Sequence, residues 1–256
     1  MWSGRRISAV ALSSLSVIAV GSSYVLRPTV QVSPRQAIEQ AVATSAAATS
    51  ASTTFSTQVS GMTTLYGTAR EQGRESRMAT LAMTAVDGAE HFSVTEIVTG
   101  PAVYISTPGL AQALGKKWLG IPVPKLTEDP AMAQLYQTNA IPDAGAGLIA
   151  VASTVRLAGT ETIGGVPVSR YVGTIDPSRA RDRLAPRLAQ LLAPQLAATT
   201  GQIRFTAWVD GQHNFRKIQT ISTVGGRVSQ TTLIYTSSSL PGRIDVPVSS
   251  EVEAFS

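Results

Sequence analysis

The sequence contains no cysteine in its 256 residues. Disulfide bonds, thiolate catalysis and thiolate metal ligands are therefore excluded. Histidine is almost absent as well: the two histidines are His91 and His213, and neither lies at i, i+4 from another potential ligand. Because the chain has no HExxH or related metal signature, the sequence predicts no metal site, and we interpret both histidines as exposed.

Residue patterns typical of an active site are also missing. The chain has no GxSxG elbow, no P-loop and no GxGxxG motif. Its acidic residues are scattered, and most have structural explanations: Asp87 and Asp210 each precede a glycine in a turn, and Asp176 precedes Pro177. The sequence therefore predicts no catalytic residue and no cofactor, and we interpret the protein as not being an enzyme.

Glu96 and a set of four arginines each allow two interpretations of their role. Glu96 lies inside an otherwise apolar strand segment. It either faces solvent, which we favour, or makes a polar contact inside a cavity. The four arginines are Arg179, Arg181, Arg183 and Arg187. They could contact lipid phosphate, but we favour the interpretation that they form a solvated helix face.

The net charge gives little support for a polyanionic partner. Charged residues make up 14% of the chain, and the formal net charge is +5. Arg5, Arg6 and Arg27 lie within residues 1–32, which contain no acid; the remaining 18 basic and 16 acidic residues leave only +2. No basic stripe with interleaved aromatic residues occurs, so the sequence predicts no nucleic-acid partner.

The N-terminus has the pattern of an export signal. A pair of arginines precedes the 20 uncharged residues Ile7–Leu26. A basic start followed by an apolar segment is typical of a secretory signal, and about 20 residues also suffice to cross a bilayer. We therefore expect residues 1–27 to form a cleaved signal peptide or a retained anchor, 28–33 a linker, and 34–256 a single domain that is extracellular or in the cell envelope.

The rest of the chain begins with a predicted helix and continues with strands. Ser33, Pro34 and apolar residues at helical spacing predict a helix over Pro34–Thr49. From Ser52 onward, alternating apolar residues and glycine-containing turns are typical of hairpins. We expect strands at 52–59, 65–71, 77–86, 90–99, 103–106, 154–162, 166–175, 202–210, 214–224 and 227–236, short helices at 131–137 and 143–153, a helical segment divided by prolines at 176–198, a loop at 108–130 and an edge segment at 240–256.

Nine or ten antiparallel strands with three to five helices predict an α+β fold. A sheet of that many strands curls, and its concave side must be filled by side chains or helices, or else leave a cavity. The strand at 77–86 is small or apolar on both faces. We therefore expect it to be a central strand that is covered on both faces.

The order of these elements resembles the actinobacterial envelope lipoproteins of the LppX and LprG type, within the wider group of LolA/LolB-like lipid carriers. The similarity covers residues 34–248 and rests on the N-terminal helix, the hairpins through TGPAVYIST, GKKW after a loop, VRLAGTETIGGVPVSRYVGTID followed by a helix, and FTAWVDGQHNFRKIQT. It implies a LolA-like half-barrel wrapped around helices, with an apolar cavity for acyl chains. Family members usually carry a lipobox cysteine; this chain has none, which leaves secretion or a retained N-terminal helix.

The expected function is extracytoplasmic binding or transport of a lipid or other hydrophobic ligand, such as an acylated glycolipid exchanged with a membrane surface or a membrane transporter. The alternative is an envelope interaction or regulatory domain on the same fold, a lipid-sensing partner of a membrane protein. Burial of acyl chain is worth about 0.8 kcal/mol per methylene, so a lipid site needs few polar groups. The predicted cavity residues, with three helical leucines as a lid, are Phe92, Val94, Val103, Ile105, Val168, Val172, Leu184, Leu188, Leu191, Phe205, Val209 and Leu233.

Overall fold

The structure is a computed structural model. It describes residues 32–60, 64–72, 78–87, 90–99, 101–122, 124–125, 142–237 and 244–255, which all belong to one compact unit. The expected signal segment 1–27, most of the linker and the expected helix at 131–137 lie outside these residues. No helix among the described residues is long and apolar enough to cross a membrane.

Among the described residues, twelve strands form one sheet in the order β12-β6-β5-β4-β3-β2-β1-β11-β10-β9-β8-β7. Neighbouring strands pair antiparallel, except that β12 pairs parallel to β6. The strands at the two ends of the order do not pair with each other, so the sheet is curled but unclosed. The strands are β1 (Ser50–Val59), β2 (Thr64–Gln72), β3 (Met78–Asp87), β4 (Glu90–Val98), β5 (Ala102–Ser106), β6 (Trp118–Pro122), β7 (Thr154–Ile163), β8 (Val166–Ile175), β9 (Thr199–Asp210), β10 (Phe215–Val224), β11 (Arg227–Ser237) and β12 (Val252–Ala254).

Five α-helices with described bounds accompany the sheet, together with a 3₁₀ helix at Ser249–Glu251. The first begins with a capping box, in which the Ser33 hydroxyl accepts from Gln36 N–H and the Gln36 side chain accepts from Ser33 N–H. The predicted helical segment is divided at Pro186, which begins a new helix, whereas Pro194 lies inside that helix. The helices are α1 (Pro34–Ala47), α2 (Leu110–Leu114), α3 (Pro142–Ala150), α4 (Pro177–Arg183) and α5 (Pro186–Ala198). Together with the curled antiparallel sheet, they confirm the predicted α+β fold class.

One face of the sheet contacts the helices, and we call it the inner face; the opposite face is the outer face. Odd-numbered residues of β9 lie on the inner face, because Phe205 and Val209 pack with helical residues in one core. This main core joins α1, α3, α4 and α5 to β8–β11. Its buried members include Ile38, Ala41, Leu148, Ile149, Ala180, Leu184, Leu192, Leu196, Ile203, Phe205, Ile218 and Leu233.

Two glycines let α3 approach the core closely. A Cβ atom at Gly145 would lie 2.5 Å from Leu233 Cδ1, and one at Gly147 would lie 2.5 Å from Leu188 Cδ1. Real Cβ contacts are not this short, so a larger residue at either position would require the Leu233 or Leu188 side chain to move. The GAG sequence at 145–147 therefore serves helix packing here.

The C-terminal segment 244–255 lies against the outer face at one end of the sheet. Buried Ile244 packs with Ile97 and Trp118, and β12 adds an edge strand to β6. Gly120 permits this contact, since a Cβ there would lie 2.7 Å from Val252 Cγ1. The prediction of an edge segment is confirmed for Val252–Ala254.

Two expectations about strands are wrong. The loop expected at 108–130 contains α2 and the strand β6, whose five residues end at Pro122 and are too short for a clear alternation. β3 is an interior strand of the sheet, paired with β2 and β4, but Ala82 on its outer face is exposed. The small apolar residues of β3 therefore do not mean that both faces are covered.

Candidate functional site

The inner face divides into two halves with different coverings. We call the inner face of β7–β11 the helical half, since the main core fills the space between these strands and the helices. We call the inner face of β1–β6 the apolar half. Its described apolar residues form two small clusters, and both clusters consist of strand residues alone.

The two clusters of the apolar half lie side by side. One surrounds Ala69 and the other surrounds Val103 and Ile121, and Val98 contacts both. Phe55 belongs to the first cluster and also packs against the main core, so it joins the two halves. The other members of the clusters are the partly buried Leu65, Val94, Ile105 and Leu119.

Polar groups lie near the junction of the two halves. Thr53 pairs with Tyr235 on one side and with Ala69 on the other, and it is 1% exposed. Its hydroxyl oxygen is buried without a hydrogen-bond partner among the described residues. Glu71, two residues beyond Ala69, is also buried. Burial and then the negative charge of Glu71 raise the pKa of Tyr235 above its ordinary value.

Glu96 also lies on the inner face, which overturns the solvent-facing interpretation. It pairs with Leu81 and Ile105, and it is 7% exposed. The strand alternation alone placed Glu96 on the same face as Val94 and Val98, and that was the signal for its burial. A buried carboxylate needs compensation, so Glu96 is a polar element of the apolar half.

The predicted cavity residues fall into several groups. Val94, Val103 and Ile105 lie together in the apolar half. Five others contact one another in or against the main core of the helical half, and the side chains of two lie outside the described part of the structure. The five core residues are Leu184, Leu188, Phe205, Val209 and Leu233, and the two undescribed side chains are those of Phe92 and Leu191.

The predicted orientation of β8 is wrong. Val168 pairs with Asp210, and Val172 pairs with Thr206, so both valines lie on the outer face. The inner face of β8 carries Tyr171 and Gly173 instead. Gly173 is required there because a Cβ atom would lie 2.6 Å from the Phe205 ring, which covers it. A glycine at an inner position hid the correct alternation.

The residues that sequence analysis missed complete the apolar half. Ala69 and Leu65 lie on a strand rich in polar residues, and Leu119 and Ile121 belong to the unexpected strand β6. β6 gave little signal in the sequence, because it is short and the nearby prolines favoured a loop.

Two grooves lie on the outer face. One, of about 370 Å³, crosses β7–β10 and is lined by arginine, threonine and aliphatic residues. The other, of about 390 Å³, crosses β11, β1, β2 and β3. It has no charged residue and is lined by Thr54, Phe55, Ser56, Tyr66, Gly67, Thr68, Ala82, Thr84, Thr232 and Ile234. Both grooves are open to solvent, and neither matches the predicted cavity on the concave side.

Asp210 has a structural role in the described fold. Its carboxylate accepts from Gln212 N–H and Asn214 N–H, each at 2.9 Å, and lies 2.8 Å from Arg216 Nη2. Burial would raise the pKa of Asp210, but these hydrogen bonds and Arg216 hold it below the ordinary value. The interactions fix the β9–β10 turn, in which half-buried His213 has φ 61°.

The described residues contain no group of three or more acids and histidines close enough to hold a metal ion. The α4 arginines match the solvated-face interpretation: Arg179, Arg181 and Arg183 are exposed, and Arg179 Nε lies 3.6 Å from Asp176. Asp176 itself caps α4 by accepting from Ser178 N–H at 3.0 Å. These charged residues are explained by helix capping and exposure.

Known proteins resemble the chain in structure but not detectably in sequence. No family model and no curated protein matches the sequence. LprF from Mycobacterium bovis is 13% identical, with a TM-score of 0.49 over 78% of this chain and 90% of that one. The lipoprotein LppX from Mycobacterium tuberculosis is 15% identical, with a TM-score of 0.48 over 82% and 97% of the two chains.

A LolA superfamily protein from Nitrosomonas europaea is also similar, at 11% identity, with a TM-score of 0.29 over 80% of this chain and 92% of that one. At these identities the likeness concerns the fold alone. The site must therefore be argued from the residues of this chain.

Proposed function

We propose that this protein binds a lipid or another hydrophobic molecule on the apolar half of its inner face and holds or carries it without changing it chemically. The observation that carries the proposal is the contrast between the halves. The helical half has one core shared by strands and helices, whereas the described apolar clusters of β1–β6 contain no helical residue.

The energetics of this face suit an acyl chain. Leu65, Val94, Ile105 and Leu119 are partly buried and lie on four different strands, so they form a surface that crosses the sheet. Each methylene that is buried against such a surface stabilises the complex by about 0.8 kcal/mol. A chain of ten methylenes therefore gains about 8 kcal/mol, a magnitude comparable to the loss of freedom on binding.

The buried polar groups would contact the polar end of the ligand. Thr53 places an unpartnered hydroxyl at the junction of the two halves, beside Tyr235. A hydroxyl or glycan group on the ligand would supply the hydrogen bond that this oxygen lacks. Such a ligand is amphipathic, as an acylated glycolipid is.

The N-terminal sequence supports a place for this function outside the cytoplasm. The basic start and the uncharged segment Ile7–Leu26 are typical of an exported protein. We propose that the protein is extracellular or held in the cell envelope, where it would exchange its ligand with a membrane surface or a membrane transporter.

The first experiment is native mass spectrometry with lipid extraction of the purified protein. We expect a bound species of lipid mass. A fluorescent diacylglycerol then gives a binding curve, and the variant V94T/I105T should weaken binding at least tenfold, since each buried hydroxyl without a partner costs about 1–3 kcal/mol. Threonine keeps the β-branched shape and the strand preference of both positions.

The matched control is V228T/I234T, which makes the same two changes at exposed residues of the outer face. It should bind the diacylglycerol as the wild type does. Equal weakening in both variants would overturn the proposed site. A protein that purifies without lipid and binds no diacylglycerol would favour the alternative, an interaction domain with a filled ligand site.

A further inference from the structure

The groove across β7–β10 on the outer face has a chemistry that the proposed function does not use. Its lining residues include Arg156 on β7 and Arg204 on β9, and both arginines are exposed. Val172 and Thr174 of β8 separate them, because Val172 pairs with Arg156 and Thr174 with Arg204. The two arginines therefore stand at opposite corners of the groove.

The spacing of the arginines suits one small ligand between them. They lie two strands apart and are offset by two residues, which corresponds to about 12 Å between Cα atoms at normal sheet spacing. Two long side chains that point into one groove can both reach a ligand at its centre. Arginine is the residue best suited to such contacts, since its planar group donates several hydrogen bonds to a phosphate or carboxylate.

The sheet is irregular on both sides of the groove. The β7–β8 register shifts between Leu157 and Gly159, and the β9–β10 register shifts between Ile221 and Thr223. Such irregularities bend strands and redirect side chains. They explain why an otherwise regular sheet face carries a concave groove at this position.

The acids on this part of the outer face are already paired. Glu161 binds Arg170 at 3.1 Å, and Asp210 binds Arg216 at 2.8 Å. Within the described residues, Arg156 and Arg204 have no carboxylate partner. Asp176 lies two residues beyond Thr174, but its carboxylate caps α4 and pairs with Arg179.

Neutral hydrogen-bonding groups complete the lining. The Thr154 and Thr174 hydroxyls lie 2.9 Å apart and bond each other. The Thr206 hydroxyl and the Gln219 amide also line the groove, and neither makes a side-chain hydrogen bond within the described part of the chain. An anion held by the arginines would find donors on the floor of the groove as well.

We propose that this groove binds a phosphate group, with Arg156 and Arg204 as the charged contacts and the threonine and glutamine side chains as neutral donors. The phosphate belongs either to a soluble compound or to a phospholipid headgroup. The site lies on the face opposite the apolar half, so it can be tested independently of the proposed lipid site.

The test has two arms on the same proteins. In the first, inorganic phosphate is titrated into the full chain by calorimetry at low ionic strength, since exposed charges are screened by salt. In the second, the protein is sedimented with phosphatidylcholine vesicles that contain phosphatidylglycerol or lack it. We expect saturable binding in at least one arm, and a loss of at least tenfold in the variant R156Q/R204Q.

The control is R181Q/R183Q, which removes the same charge from exposed positions on α4 and should change binding less than twofold. Binding of free phosphate but not of vesicles supports a soluble ligand, and binding of phosphatidylglycerol vesicles alone supports a headgroup. Equal loss in both variants, unchanged binding in both, or no binding in either arm would overturn the proposal. The inner-face variant V94T/I105T should bind phosphate normally, so failure of one site does not imply failure of the other.

Discussion

The helical half and the apolar half belong to one sheet, yet they bury their side chains in different ways. In the helical half, residues from four helices and four strands interlock in a continuous core with Ile218 and Ile149 nearly inaccessible. In the apolar half, the described clusters are small, are built from strands and include buried carboxylates nearby. A core of the first kind supplies stability, whereas a face of the second kind is where we propose that a ligand binds.

Two buried polar side chains differ in how their hydrogen bonds are satisfied. On the outer face of β9, the buried acid Asp210 is fully engaged in a turn and an ion pair. At the junction with the apolar half, the Thr53 hydroxyl is buried without a partner in the described structure. Native proteins rarely leave a buried polar group unsatisfied, and such groups often mark a functional position. The junction of the two halves therefore carries a buried hydroxyl that the described structure leaves unsatisfied.

The largest expected change in the free energy of unfolding comes from an Ile→Ala substitution, which can be made once in each half. Ile218 is 1% exposed in the main core, whereas Ile105 is partly buried in the apolar half. Ile218→Ala should lower the free energy of unfolding by about 2–5 kcal/mol, because it leaves a cavity among close-packed neighbours. Ile105→Ala should cost less than about half as much. Urea denaturation measures both, and equal losses would contradict the assignment of stability to the helical half.

The sequence predicts the helical half well because its local signals agree with its tertiary contacts. The α1 cap at Ser33 and the glycine turns after β7 and β10 are visible in the sequence, and they appear where expected. The spacing of the α5 leucines predicts an amphipathic helix, and Leu188, Leu192 and Leu196 belong to the main core or pack against it. The sequence left open whether these residues fill a core or line a cavity, and the structure places them in the main core of the helical half.

The apolar half was less predictable because its signals are short or depend on strand pairing. β6 has only five residues, the last of which is Pro122, and β12 pairs with it from more than 100 residues away. Glu96 was interpreted from its charge although its position in the alternation indicated the inner face. Where residue chemistry and alternation disagreed, alternation was correct.

A smaller loss of stability is expected from changes at the β9–β10 turn. Asp210→Asn should cost about 1.5–3 kcal/mol at pH 7, because hydrogen bonds to a buried charged group are lost or weakened. Glu161→Gln, which breaks an ion pair whose side chains are 39% and 41% exposed, should cost about 0–1 kcal/mol. Thermal unfolding of both variants gives the comparison.

The pH dependence of the same variants gives a second measurement. The pKa of Asp210 is lower in the folded protein than its ordinary value. Its contribution to stability is therefore complete above the unfolded pKa of about 3.9 and is lost as the pH falls through the lower folded pKa. The difference between wild type and D210N should shrink below about pH 4. A difference that stays constant down to pH 2 would show that the carboxylate charge is not responsible.

The smallest expected effect is a gain in the free energy of unfolding, and it tests the junction of the two halves. Thr53→Val replaces a buried hydroxyl that has no described partner with a methyl group of the same shape. Removing an unsatisfied polar group should raise the free energy of unfolding of the lipid-free protein by about 1 kcal/mol. If this hydroxyl also contacts the polar end of a ligand, the same variant should bind a fluorescent diacylglycerol more weakly while folding more stably.

Thr57→Val serves as the control, since the Thr57 hydroxyl is already bonded to Thr231 at 3.1 Å, and its loss should destabilise the protein. A Thr53→Val variant that is destabilised to the same extent would mean that the Thr53 hydroxyl is satisfied in solution and has no need of a ligand.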